Sequence, residues 1–173
     1  MSDIEIYRRL SARIYHPQAR PRLQCSARGY MRLENFEIHS KIELKTSTLI
    51  WELHNFADFL GLELIPAENV AVMKWSVPSA PNPWGCLENK FSGMTLRFKN
   101  LQFLKIGARD KDLPFTEDTC VSDVLKVGPG DEGADPYVRT CRGWSDSFRL
   151  IFQFQSGRVI EVESETVELV PIA

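Results

Sequence analysis

The segment SFRLIFQFQSGRVIEVES, residues 147–164, limits the choice of fold more tightly than any other part of the chain. Phe148, Leu150, Phe152 and Phe154 stand at every second position, the period of a strand with one buried face. Ser156-Gly157 supplies a tight turn, and RVIEVESE returns. Two alternating runs about such a turn make a β-hairpin. TVELV, 166–170, is expected to add a further strand.

Other stretches extend the same pattern. VAVMKWSV, 70–77, reads as a strand, and LENFEIHSKIEL, 33–44, alternates Phe36, Ile38, Ile42 and Leu44 against polar neighbours. MTLRFKNLQFLKIG, 94–107, is expected to give two strands with a turn near Asn100. VSDVLKV, 121–127, fits a strand or a helical turn equally well. Strands joined by short turns, with few helices between them, argue for an antiparallel sheet.

One covering helix is expected over about residues 47–60. Leu49, Leu53, Phe56, Ala57 and Leu60 share one face at a period near 3.6, Ser47 or Thr48 can cap the start, and Gly61 stands where a C′ glycine belongs. A second, N-terminal helix is expected over 3–14, where Ile4, Tyr7, Leu10 and Ile14 keep helical spacing. The expected class is therefore α+β, mostly β. An Arg-rich helix and arm occupies 1–32, and a sheet-containing core occupies 33–173.

A length of 173 residues fits one domain. With 43% hydrophobic and 25% charged residues and a formal net charge of −2, the chain is not of disordered type and has no global pull toward nucleic acid or acidic lipid. No apolar run reaches the ~18–20 residues of a membrane span, and the charged N-terminus lacks a signal-peptide core. A soluble, cytoplasmic protein is expected. Cys25, Cys86, Cys120 and Cys141 are widely separated, so they read as thiols, with neither close metal-ligand pairs nor a disulfide framework. No cofactor is expected.

Candidate chemistry is sparse. Some pair among the four Cys and His16, His39 and His54 could meet in space, but no Gly-x-Ser-x-Gly elbow is present. GPGDEG, 128–133, carries acids that repel phosphate and no following Lys-Ser/Thr. RDKDLPFTED, 109–118, has Asp110, Asp112, Glu117 and Asp118, out of register for a calcium loop. It reads as a charged surface loop with Leu113 and Phe115 tucked beneath it. Seven arginines in the first 32 residues are interleaved with Tyr7, Tyr15, His16 and Tyr30. That arrangement could stack bases among phosphate contacts, although Glu161, Glu163, Glu165 and Glu168 offer an internal counterpart.

The loop SVPSAPNPWGCLENKFSG, 76–93, carries the clearest hint of recognition. Asn82-Pro83-Trp84-Gly85 fits a type I turn, which places Trp84 at an apex with no backbone need for an aromatic ring. The ring either lids the core or faces a partner. Trp144, in the second long irregular stretch, invites the same comparison. The leading expectation is a non-enzymatic module that binds a protein partner through Trp84 and Trp144, with Arg109, Asp110 and Asp112 setting orientation. An enzyme or small-ligand protein with a pocket between sheet and loops is the alternative. Nucleic-acid binding through the Arg-rich arm is a third.

Overall fold

The computed structural model describes residues 31–77, 91–128 and 148–173. Among these, ten strands are joined by loops and two single-turn 3-10 helices. The strands are β1 (Arg32–Leu33), β2 (Glu37–Ile38), β3 (Glu43–Lys45), β4 (Ile50–Glu52), β5 (Asp58–Ile65), β6 (Val70–Ser76), β7 (Gly93–Ile106), β8 (Val121–Val127), β9 (Arg149–Phe154) and β10 (Val159–Ile172). The larger sheet has the order β5-β6-β7-β10-β9-β8, antiparallel throughout, and β1 pairs parallel to β10. The smaller sheet is β2-β3-β4.

The hairpin forms as its alternation requires. β9 and β10 pair from Val159–Gln153 to Val162–Leu150 across a turn in which Gly157 takes φ 76°. A side chain there would be strained, so glycine fits. TVELV is not a separate strand: β10 runs on through it to Ile172. Along its whole length β10 pairs with β7, and its other edge is shared between β9 and β1.

The expected turn near Asn100 is likewise absorbed into one strand. Asn100 adopts φ 54° inside β7, and its side-chain amide donates to Glu165 Oε2 at 2.8 Å. Asparagine tolerates this left-handed conformation better than most residues, so a turn residue serves here as a bend. VSDVLKV resolves as strand β8, and the 33–44 alternation is cut into β1, β2 and β3.

The covering helix at 47–60 does not exist. These residues form β4, a turn and the start of β5. Ser47 and Thr48, which could cap a helix, lie instead in a tight turn closed by Thr46: its N–H donates to the Leu49 carbonyl at 2.8 Å, and its Oγ1 accepts from Leu49 N–H at 3.0 Å. Trp51 and Leu53 are buried while Ile50 is exposed, a period of two rather than 3.6. Gly61 is not a C-cap. It takes φ 142° at a bulge between Phe59 and Gly61, where β5 slips one residue against β6. The helix expected at 3–14 lies outside the described residues. Among those described, the class is all-β with two short 3-10 turns, in place of α+β.

The large sheet curls until its ends approach. Phe59 N–H, at the start of β5, donates to the Thr119 carbonyl just before β8, at 2.8 Å. Inside the curl the rings of Phe59, Trp75, Phe152 and Phe154 pack with centroids 4.9–5.9 Å apart, and Phe98 meets Phe152 edge-on at 6.4 Å. Offset and edge contacts of this kind are favoured by the ring quadrupoles. Phe36, Leu44, Trp51, Leu53 and Ala57, from the segment leading into β5, belong to the same core. That segment also bonds the free side of β8, where Val124 N–H donates to the Lys41 carbonyl.

Candidate interaction site at the sheet seam

The seam between β5 and β8 gathers three loops: the β4–β5 turn, the segment 107–120 between β7 and β8, and the β9–β10 turn. Two constellations stand there.

The first is a Cys–His pair, with Cys120 Sγ 3.4 Å from His54 Nδ1. Its surroundings decide its chemistry. The Val121 carbonyl lies 2.8 Å from Nδ1, and a carbonyl only accepts, so Nδ1 carries the ring proton. Nε2 then accepts from the Gln155 amide at 3.4 Å. The thiol itself donates to the His54 carbonyl at 3.2 Å. Neither ring nitrogen is placed to take the thiol proton. Burial pushes the Cys120 thiol pKa up, and the charges of Glu117, Glu52 and Asp58 push it further the same way. Activated cysteines need the opposite field. This pair ties the β4–β5 turn to β8 and β9, and it does not make a nucleophile. No group of three His, Cys, Asp or Glu among the described residues could hold a metal ion.

The second constellation is built on Asp118. Its carboxylate accepts from Arg109 Nε at 3.0 Å through one oxygen and from Arg158 Nη2 at 2.8 Å through the other. Arg109 also donates to the Leu113 carbonyl, and its guanidinium carbon lies 4.2 Å from the centroid of the Phe115 ring. The loop is fastened to the hairpin turn by Asp110 N–H to the Ser156 carbonyl at 2.7 Å and Ser156 N–H to the Glu117 carbonyl at 3.3 Å. Phe115, at the start of the 3-10 turn Phe115–Asp118, is 77% exposed, and Leu113 is 38% exposed. The expectation that both tuck beneath the loop is overturned. The segment spends its inward contacts on the Arg109–Asp118–Arg158 network, and Phe115 is left outside with a cation on its face.

Burial is the largest single influence on Asp118 and acts to raise its pKa. The Ser156 and Arg109 hydrogen bonds, with the charges of Arg158 and Arg109, together outweigh it and hold the carboxyl below its usual range. A depressed folded-state pKa means the stabilisation is complete above the unfolded value, about 3.9, and is lost as pH falls through the folded one. Asp118→Asn is therefore expected to lower the melting temperature at pH 7. The gap to wild type should shrink progressively below about pH 4, where the wild-type carboxyl also becomes neutral. Thermal melts of both proteins from neutral to strongly acid pH measure it, and a gap that does not narrow on acidification contradicts this role.

Of the residues singled out by sequence, Arg109 is fixed by Asp118, while Asp110 and Asp112 are exposed and form a turn in which Asp110 Oδ1 accepts from Asp112 N–H at 2.9 Å. Trp84 and Trp144 lie outside the described residues. Glu161, Glu163, Glu165 and Glu168 are engaged by Lys105, Arg149, Asn100 and Lys99 respectively. No helix among the described residues is long and apolar enough to cross a membrane. Comparison with protein-family models, curated proteins and solved structures found no match for this chain.

Proposed function

We propose that the protein is a non-enzymatic binding module that engages another protein through the 107–119 loop, with Phe115 as its anchor. One observation carries this reading: an aromatic ring 77% exposed at a loop tip, with a guanidinium stacked on it that is itself fixed by a shielded carboxylate. An exposed ring whose position is already fixed loses little freedom on docking, and aromatic anchors of this type dominate many interfaces. Burying it would contribute about 1.5–3 kcal/mol. With Arg109 and Asp118 paired to each other, the loop still carries Asp110, Asp112 and Glu117 against Lys111, so the fitting partner offers an apolar pocket with a basic rim.

The test is quantitative capture from the native host with wild type and Phe115→Ala. Because the ring is mostly in solvent, the substitution should change stability by less than about 0.5 kcal/mol. Partner retention should nevertheless fall at least ~10-fold, the scale of a hot-spot loss. The reading fails if wild type retains no partner, or if the variant retains the same partners equally.

A further inference from the structure

We propose that β5 is a self-association edge, whose outer rim pairs antiparallel with the same strand of a second copy of the chain. β5 ends the strand order and is bonded to β6 on one side only. On its other side Phe59 N–H bonds Thr119, and from Leu60 to Ile65 no backbone partner occurs among the described residues. Unpaired N–H and C=O groups along an edge are a template for another strand. Edges are commonly blunted by lysine or proline, and LGLELI, 60–65, has neither. Its one charge, Glu63, is held by Lys74 of β6 at 2.6 Å. Leu60 and Leu64 are 65% and 50% exposed.

The side chains select a register. Directly opposed residues in a sheet point to the same face. A two-fold axis joining two copies of this rim into one continuous sheet must therefore pass through a residue, not between residues. Centred on Glu63, it would set two carboxylates against each other, which is destabilising. Centred on Leu62, it sets each Glu63 opposite Gly61 of the other copy, where there is neither charge nor side chain. Each Leu64 then comes beside the other copy's Leu60. The irregularity between Phe59 and Gly61, with Phe59 N–H already bonded to Thr119, closes the ladder beyond Leu60, so the contact is short and the association weak and concentration-dependent.

Sedimentation velocity on the full chain tests this. Wild type should shift from 19.8 kDa toward twice that mass as concentration rises from about 1 to about 200 µM. Leu64→Glu should remain at the single-chain mass throughout. Ile50→Glu, at a 49% exposed position on the smaller sheet, should associate as wild type does. Amide exchange in wild type reads the same contact without substitution, slowing across 60–65 at the higher concentration. The proposal is overturned by a wild type that stays single-chain at the top concentration. It is equally overturned by Leu64→Glu and Ile50→Glu associating alike, or by exchange in 60–65 that ignores concentration.

Discussion

Phe152→Ala is expected to lower the unfolding free energy by about 3–5 kcal/mol, the range for deleting a buried phenyl ring. Phe152 has no exposed surface, and its ring touches those of Trp75 at 5.9 Å and Phe98 at 6.4 Å. Those neighbours come from β6 and β7, whereas Phe152 belongs to β9, so the ring bridges strands that are not adjacent in the sheet. Collapse of the resulting cavity would need the curl itself to tighten, and the strand pairings resist that. Natural domains are stable by only ~5–15 kcal/mol, so this single change removes a large fraction. Urea unfolding followed by tryptophan fluorescence measures it. A loss below about 1 kcal/mol would mean the ring does not bridge a close-packed interior.

Gly93→Ala is expected to cost about 2–3 kcal/mol by overpacking, although it adds a single methyl group. A Cβ at Gly93 would lie 2.3 Å from the Trp75 carbonyl oxygen and 3.4 Å from Ser76 Cα. Both neighbours are main-chain atoms, which cannot rotate away as a side chain can. Gly93 faces Ser76 on one side and Ile172 on the other, so β7 cannot retreat without disturbing two ladders. Glycine inside a strand often marks such a close backbone approach. The melting temperature should fall by about 4–12 °C for a chain of this length. An unchanged melt would falsify the close approach. Gly61→Ala makes a useful contrast, since space is open around that position and only its φ of 142° opposes a side chain.

The hairpin is plain in the sequence because Phe148, Leu150, Phe152 and Phe154 hold every second position, with only Ile151 out of phase, and Ser156-Gly157 suits a tight turn there. The stretch 47–61 misleads for a physical reason. Leu49, Leu53, Phe56 and Ala57 suit a helical face, yet Trp51 and Leu53 suit a strand equally well, and short apolar runs do not separate the two periods. Ser, Thr and Gly serve caps, turns and bulges alike, so Ser47, Thr48 and Gly61 do not arbitrate. The pairing of β1 with β10, and thus the burial of Phe36 and Leu44, depends on contacts more than 130 residues apart (Asn35 side chain to Leu169 backbone, separation 134).

At the seam, the acids of 109–118 were visible, and so were His54 and Cys120 as separate residues. Their meeting was not, because it follows from sheet closure across a separation of 66 residues. Hydrophobicity alone places Phe115 in the interior, whereas it is 77% exposed. The better signal was its setting after Pro114 and before Thr116-Glu117-Asp118, with no alternation to return it to a sheet face. That signal separates a ring outside the core from one within it, but Arg109 stacking on the ring required the folded loop.

The central place of β10 bears on how the protein is made. Synthesis proceeds from the N-terminal side, so β7, β9 and β1 all emerge before the strand that joins them, Val159–Ile172. Until that strand is released the sheet remains in two parts, with β5-β6-β7 on one side and β8-β9 on the other. Their apolar faces must stay exposed and their edges open in the interval, the condition under which nascent chains aggregate. Long-range pairing of this kind also folds slowly. A messenger truncated within the codons for β10 would release a chain with nearly every hydrophobic residue of the core and no strand to assemble them.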